Sequence, residues 1–188
     1  MRKATTTMID EIKIANTLLV EMQDIQYGWV DFANKIHLDD FDSFSEDYRL
    51  QSPASLRKSK AGVCWDQVEL ERDYFKGHNV SVKTYFLVYY DGKDCPTHTF
   101  LVFKSGGRFY WFEHSWECFR GLHQYQNIDE LLSDVLHKFI KSEIKDEKYN
   151  SANLNLHEYT QPSYGLSVQE FYAFCNNGKH VDVASYMV

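Results

Sequence analysis

Three prolines and nine glycines are few for a chain of 188 residues. That scarcity excludes a collagen-like repeat and a Pro/Gly-rich disordered polymer. Basic runs are missing as well: Lys and Arg never stand more than two in a row, and the formal net charge is −7. A chain of that sign lacks the footprint a phosphate backbone requires, which argues against a nucleic-acid partner. No stretch approaches the roughly 20 consecutive apolar residues of a membrane-spanning helix, which argues against a membrane partner. Behind Arg2 and Lys3, the charges of Asp10, Glu11 and Lys13 leave no apolar segment for a signal peptide. The expectation is a soluble, cytoplasmic protein. Cysteine is sparse too. Cys64, Cys95, Cys118 and Cys175 form no Cys-x-x-Cys pair, so they read as free thiols rather than a disulfide framework.

Apolar residues, by contrast, make up 44% of the chain and aromatics 16%, enough to fill one core without staples. Helical spacing of Ile12, Ala15, Leu18, Leu19 and Met22 predicts an opening helix over Met8 to Asp24. Gly28 ends or bends it, and Trp29 to Phe32 is too short to classify, read as irregular or short helix. Between His37 and Ser59 acids precede bases, the pattern of a solvated face with Phe41, Phe44 and Tyr48 beneath. Ser52-Pro53-Ala54-Ser55 is a turn or a helix entry.

A second helix is predicted from about Val63 to Phe75, closed near Lys76-Gly77, with Val68, Leu70, Tyr74 and Phe75 as its apolar flank. The period then turns strand-like over Val80 to Tyr90, Thr97 to Lys104 and Arg108 to Trp116, the last two joined by a tight hairpin at Ser105-Gly106-Gly107. A capping box at Asn127 and Glu130 opens a helix to about Ile144. Leu154 to Tyr159 alternates as a strand, and a capping box at Ser167 and Glu170 starts a last short helix stopped by Asn176-Asn177-Gly178. The fold class expected is therefore α+β, an antiparallel sheet packed by an N-terminal helical part. It forms a single domain over residues 1–188, helical to about 77, sheet over about 78–120, and a helix with a C-terminal extension over 121–188.

Chemistry concentrates where the second helix begins, at Ala61-Gly62-Val63-Cys64-Trp65-Asp66-Gln67. A cysteine in a first helical turn meets unpaired N–H groups and the positive end of the helix dipole, which favour a thiolate nucleophile. The hairpin supplies candidate partners. A two-residue Ser105-Gly106 loop pairs His98 with Glu113, Phe100 with Trp111 and Val102 with Phe109, and directly opposed residues stand about 5 Å apart on one face. A loop one residue longer sets His98 against His114 instead, and a Gly106-Gly107 loop sets it against Ser115. Histidine beside a carboxylate is oriented and stabilised as imidazolium, the arrangement that nucleophilic catalysis requires.

GVCWDQ, PTHTFLVF and YWFEHSW, spanning about Gln26 to Trp116, resemble the Cys, His and acid blocks of the transglutaminase-like superfamily of papain-fold cysteine enzymes. The resemblance implies Cys64 as nucleophile, His98 as general base and Glu113 as orienting acid, where the family usually carries Asp. It further implies an oxyanion-stabilising side chain upstream of the cysteine, for which Trp29 and Gln26 are candidates beside the Cys64 N–H. The substrate is then a peptide or protein carboxamide, cleaved by water more readily than crosslinked, with no cofactor.

Two rival expectations stand beside this one. Cys95-x2-His98 and His114-x3-Cys118 are zinc-type ligands, but their spacing runs along strands rather than knuckles, and His98 cannot serve both roles. A non-catalytic binding module of the same fold would use Tyr89, Tyr90 and Tyr110 as surface aromatics of a recognition groove.

Overall fold

The computed structural model describes residues 10–93, 95–144 and 149–186. Met8, where the first predicted helix begins, lies outside the described residues, as do residues 145–148 of the polar stretch and the final two positions.

Helix α1 (Glu11–Glu21) starts where Asp10 accepts a hydrogen bond from the Lys13 backbone N–H at 3.0 Å, and it buries Ala15 and Leu18. The stretch that resisted classification contains a strand: β1 (Trp29–Val30) pairs antiparallel with β2 (Ile36–His37). After the one-turn α2 (Phe44–Asp47) comes α3 (Pro53–Ser59), capped by Ser52 and stopped by Lys60 in the left-handed region. Helix α4 (Cys64–Gly77) follows.

Strands β3 (Val82–Tyr89), β4 (Thr97–Ser105), β5 (Arg108–Glu113), β6 (Gly121–Tyr125), β7 (Leu154–Tyr159) and β8 (Lys179–Val181) form one sheet in the order β6-β5-β4-β3-β7-β8. Every neighbouring pair is antiparallel. Helix α5 (Ile128–Phe139) separates β6 from β7, and α6 (Val168–Asn176) separates β7 from β8. The architecture is α+β with an antiparallel sheet. The edge strands β6 and β8 are short and mostly polar, the pattern that hides an edge strand from sequence reading.

Helices cover both faces of the sheet. On one, Leu70 and Phe75 of α4 pack with Leu101, Phe103 and Phe112, Phe75 standing edge-on to Phe112 at 5.6 Å. On the other, Leu132, Val135 and Phe139 of α5 pack with Phe100, Val102 and Trp111. The central strands are therefore buried on both sides, which accounts for their nearly continuous apolar runs. Each fully buried Phe or Leu contributes about 1.5–3 kcal/mol.

Helix α4 buries more than its apolar flank. Asp66, Gln67, Glu69, Glu71 and Arg72 are all buried. Arg72 forms an ion pair with Glu69 at 2.9 Å and also donates to Thr84, so this charge is compensated inside the protein as burial demands.

The hairpin loop is Gly106-Gly107, not Ser105-Gly106. The ladder runs from Ser105 opposite Arg108 to Leu101 opposite Phe112. Both turn residues have positive φ, 55° and 81°, as a type I′ turn needs at its two central positions, and two glycines meet that demand without strain where serine does not. Continued outward, this register sets Phe100 beside Glu113 and His98 beside Ser115. The displacement is two residues, so it preserves the face: Glu113 becomes the diagonal neighbour of His98 rather than its opposed one.

Candidate active site

Cys64 opens α4 and is buried. The helix mouth is held by Asp66, whose carboxylate accepts from the Val63 N–H at 3.1 Å, the Gln51 N–H at 2.8 Å and the Tyr48 hydroxyl at 2.9 Å. Burial pushes the Asp66 carboxyl up to about 7 against the pull of these hydrogen bonds. The approach loop presses closely on the first turn. A Cβ on Gly62 would lie 2.6 Å from Leu56 Cδ1 and 2.9 Å from Asp66 Cβ, so only glycine fits there.

Gln67 ties this mouth to the sheet. Its amide Nε2 donates to the Gly62 carbonyl at 2.8 Å, and its Oε1 bonds the His114 ring at 2.7 Å. Burial, with Arg120 nearby, pulls His114 down to about 4, so at neutral pH the ring is uncharged and its Nδ1–H is the donor. The residue after Glu113 is thereby fastened to the loop before Cys64.

His98 and Glu113 meet despite the diagonal register: His98 Nε2 lies 2.8 Å from Glu113 Oε2, with both side chains buried. Diagonal neighbours are about 7–8 Å apart at the backbone, and the extra methylene of Glu over Asp supplies reach. Glu113 Oε1 is also engaged, accepting from the Ser115 hydroxyl at 3.0 Å and the Trp116 N–H at 2.7 Å. These bonds curl the chain after Glu113 and end β5 there, three residues short of the expected Trp116.

The imidazole lies against the Trp116 ring at 4.7 Å, and Cys64 is near enough to raise its pKa. Burial pulls the His98 pKa down, but the Glu113 carboxylate and Cys64 outweigh it and push it up to about 10. Glu113 is held below the usual carboxylate range: burial raises it, and His98, the Trp116 N–H and Ser115 outweigh that. At neutral pH the ring is an imidazolium paired with the Glu113 carboxylate.

The two upstream candidates are not brought to the sulfur as donors. The Trp29 indole is fully buried, stacked on His37 at 4.2 Å, and its N–H is spent on the Asp40 carbonyl at 2.7 Å. Gln26 contributes backbone only: its N–H donates to the Lys60 carbonyl at 2.9 Å, and its carbonyl accepts from the Gly62 N–H at 3.1 Å. That bridge lays the segment alongside the helix mouth. The residue it delivers is Tyr27, half exposed overall, which stands near enough to Cys64 to feel its charge. Burial of the phenol, then Cys64, keeps Tyr27 well above its ordinary value and so protonated. Sequence reasoning singled out Gln26 and Trp29 and passed over the polar aromatic between them; the signal available was a polar aromatic next to the residue that bridges to Ala61.

A cleft of about 360 Å³ opens onto His98 between Tyr27 and Trp116, with Ser115, Glu117 and Glu143 also lining it. A more open depression along the outer face of α1, lined by Ile12, Asn16 and Val20 among others, lies away from these groups.

The rival arrangements find less support. Tyr89 and Tyr110 are buried and only Tyr90 is well exposed, so the three do not form the surface aromatic set expected of a recognition groove; their rings are drawn into the sheet's packing. Cys95 and Cys118 are exposed, and all four cysteines are free thiols. Among the described residues no three His, Cys, Asp or Glu side chains stand where they could share a metal ion. Among the described residues, too, no helix is long and apolar enough to cross a membrane.

No family model matches the chain, and no characterised protein matches it in sequence.

Proposed function

We propose that this chain is a cysteine-dependent acyl-transfer enzyme of the transglutaminase-like, papain-fold type, acting on peptide or protein carboxamides. The observation that carries the proposal is His98, hydrogen-bonded at 2.8 Å to a buried carboxylate that keeps the ring charged, with Cys64 near enough to add to that shift. The Cys–His–acid order and the placing of sulfur at a helix start support it further. In this reading Cys64 sulfur attacks the carbonyl carbon. The oxyanion that forms takes hydrogen bonds from the Cys64 N–H, which as a first-turn amide has no intrahelical acceptor, and from the Tyr27 hydroxyl. His98 gives its proton to the departing amine as the C–N bond breaks and the thioester is left. Water then attacks, His98 takes its proton, and the acid leaves with free thiol restored. An amine in place of water gives a new amide. Glu113 holds the ring's orientation throughout and stabilises the ring whenever it carries the proton.

The test is the Cys64→Ala variant assayed on a library of amide substrates. It is expected to fold as the parent does and to lose acyl transfer completely. Turnover like the parent's in that variant overturns the proposal.

A further inference from the structure

The cleft that opens on His98 is unbalanced in charge. Its floor holds the imidazolium, already compensated by Glu113 behind it at 2.8 Å. Its lining adds two carboxylates, Glu117 and Glu143, and among the described lining residues His98 is the only base. Among the described residues neither carboxylate has an ion-pair partner.

The two come from different elements. Glu117 opens the 3₁₀ turn that follows the Glu113 knot. Glu143 sits on the π-helical turn Ile140–Ile144 that ends α5, where Ile140 and Ile144 are buried and Glu143 is left on the outside. Single π turns occur often at functional sites because they re-aim one side chain. Glu143 is near enough to Tyr27 to act on its hydroxyl electrostatically, and both residues line this cleft. Tyr27 and Trp116 give the walls two π faces, surfaces that attract cations and do nothing for anions. The whole chain carries net charge −7, so its long-range field points the same way.

We propose that the cleft selects substrates carrying an ammonium or guanidinium group beside the carbonyl that Cys64 attacks, with Glu117 and Glu143 as the residues that determine this preference. The inference rests on the acyl-transfer reading for its substrate, but the charge preference can be tested without turnover. The imidazolium is compensated by Glu113 and the field of the whole chain also favours cations, so a cation preference is assigned to the lining only by its loss when Glu117 and Glu143 are neutralised.

The experiment measures modification of Cys64 in the full-length chain carrying Cys95→Ser and Cys118→Ser, so that the exposed thiols do not compete. Two methanethiosulfonates of similar size are compared, one bearing a trimethylammonium and the other a sulfonate. Each transfers its alkylthio group to the Cys64 thiolate, forming a mixed disulfide and expelling methanesulfinate. Site occupancy is read by peptide mass. The cationic reagent is expected to react faster, by roughly tenfold at low salt, with the advantage shrinking as salt screens the lining charges. The ratio is expected to fall at least about threefold in Glu117→Gln and in Glu143→Gln, and further in the double variant. Because the readout is a ratio, changes in intrinsic thiol reactivity cancel. A preference for the sulfonate in the parent, or a ratio unchanged in the double variant, overturns the proposal. The same proteins are then given matched cationic and neutral amides. Absence of turnover on every amide with the reagent ratio intact removes the acyl-transfer reading alone. Turnover without charge preference removes the charge proposal alone.

Discussion

Replacing Glu113 by Gln perturbs the site at a single charge. The side chain keeps its length and an oxygen for Nε2, but the buried carboxylate is lost. His98 sits at about 10 although burial alone would pull it down, and the displacement from 6.5 corresponds to on the order of 5 kcal/mol of preference for the imidazolium. That preference is shared between Glu113 and Cys64, with Glu113 the larger share. Without it burial dominates, and His98 is expected to titrate at or below the ordinary histidine value, leaving the ring neutral at pH 7.5. The assay is a titration of ¹⁵N-labelled histidine side chains by NMR from pH 5 to 11, with the His98 resonance assigned from His98→Gln. Acyl transfer should drop by roughly 10²- to 10⁴-fold, the scale of losing both the acid–base group's charge and its orientation. Glu113→Asp sharpens the test, because the diagonal register leaves the shorter side chain without reach. It is expected to behave like Glu113→Gln. A wild-type His98 that titrates near 6.5, or a titration unmoved in Glu113→Gln, refutes the reasoning.

Three further outcomes are expected. Tyr27→Phe keeps the ring and removes the hydroxyl, so kcat should fall by roughly 10- to 10³-fold with little change in KM, whereas Trp29→Phe should alter thermal stability and leave kcat nearly intact; the reverse pattern would return the oxyanion role to Trp29. Asp66→Ala leaves the Val63 N–H, Gln51 N–H and Tyr48 hydroxyl unpaired, a loss of about 2–4 kcal/mol to be read from urea denaturation, and a loss under about 1 kcal/mol contradicts the assigned role. Because the folded-state pKa of His98 is raised, its contribution to stability is complete below the unfolded value near 6.5 and disappears as pH rises through about 10. Melting temperature should therefore decline over that window in the parent and decline less in His98→Gln; parallel curves would show that the pair does not link pH to stability.

Much of this layout is legible in the sequence because it rests on local chemistry. Apolar periodicity marks α1, α4, α5 and the central strands, and side-chain caps at Asp10, Ser52, Asn127 and Ser167 mark helix starts. Cys64, His98 and Glu113 can be singled out as candidates because Cys, His and Glu stand out against their surroundings. What sequence reasoning misses depends on contacts made at a distance. The hairpin offered three registers, and the deciding factor was the cost of positive φ at Ser105, which left the turn to Gly106-Gly107. Glu113 still meets His98 because a two-residue slip keeps a side chain on its face. The strands β1, β2 and β8 span only two or three residues, too few for any period to show. Tyr27 owes its place to a backbone bridge between Gln26 and Ala61, and the Gln67–His114 tie joins residues 47 positions apart. Neither leaves a trace in local pattern.

The most direct measurement is intact mass spectrometry of the chain mixed with an activated amide or ester, followed by peptide mapping of the acyl group. A mass gain of one acyl group at Cys64, decaying as water releases it and slowed in His98→Gln, is the result that follows from a buried thiol paired with a charged imidazole. Acyl groups found on the exposed Cys95 and Cys118 with Cys64 untouched would contradict it.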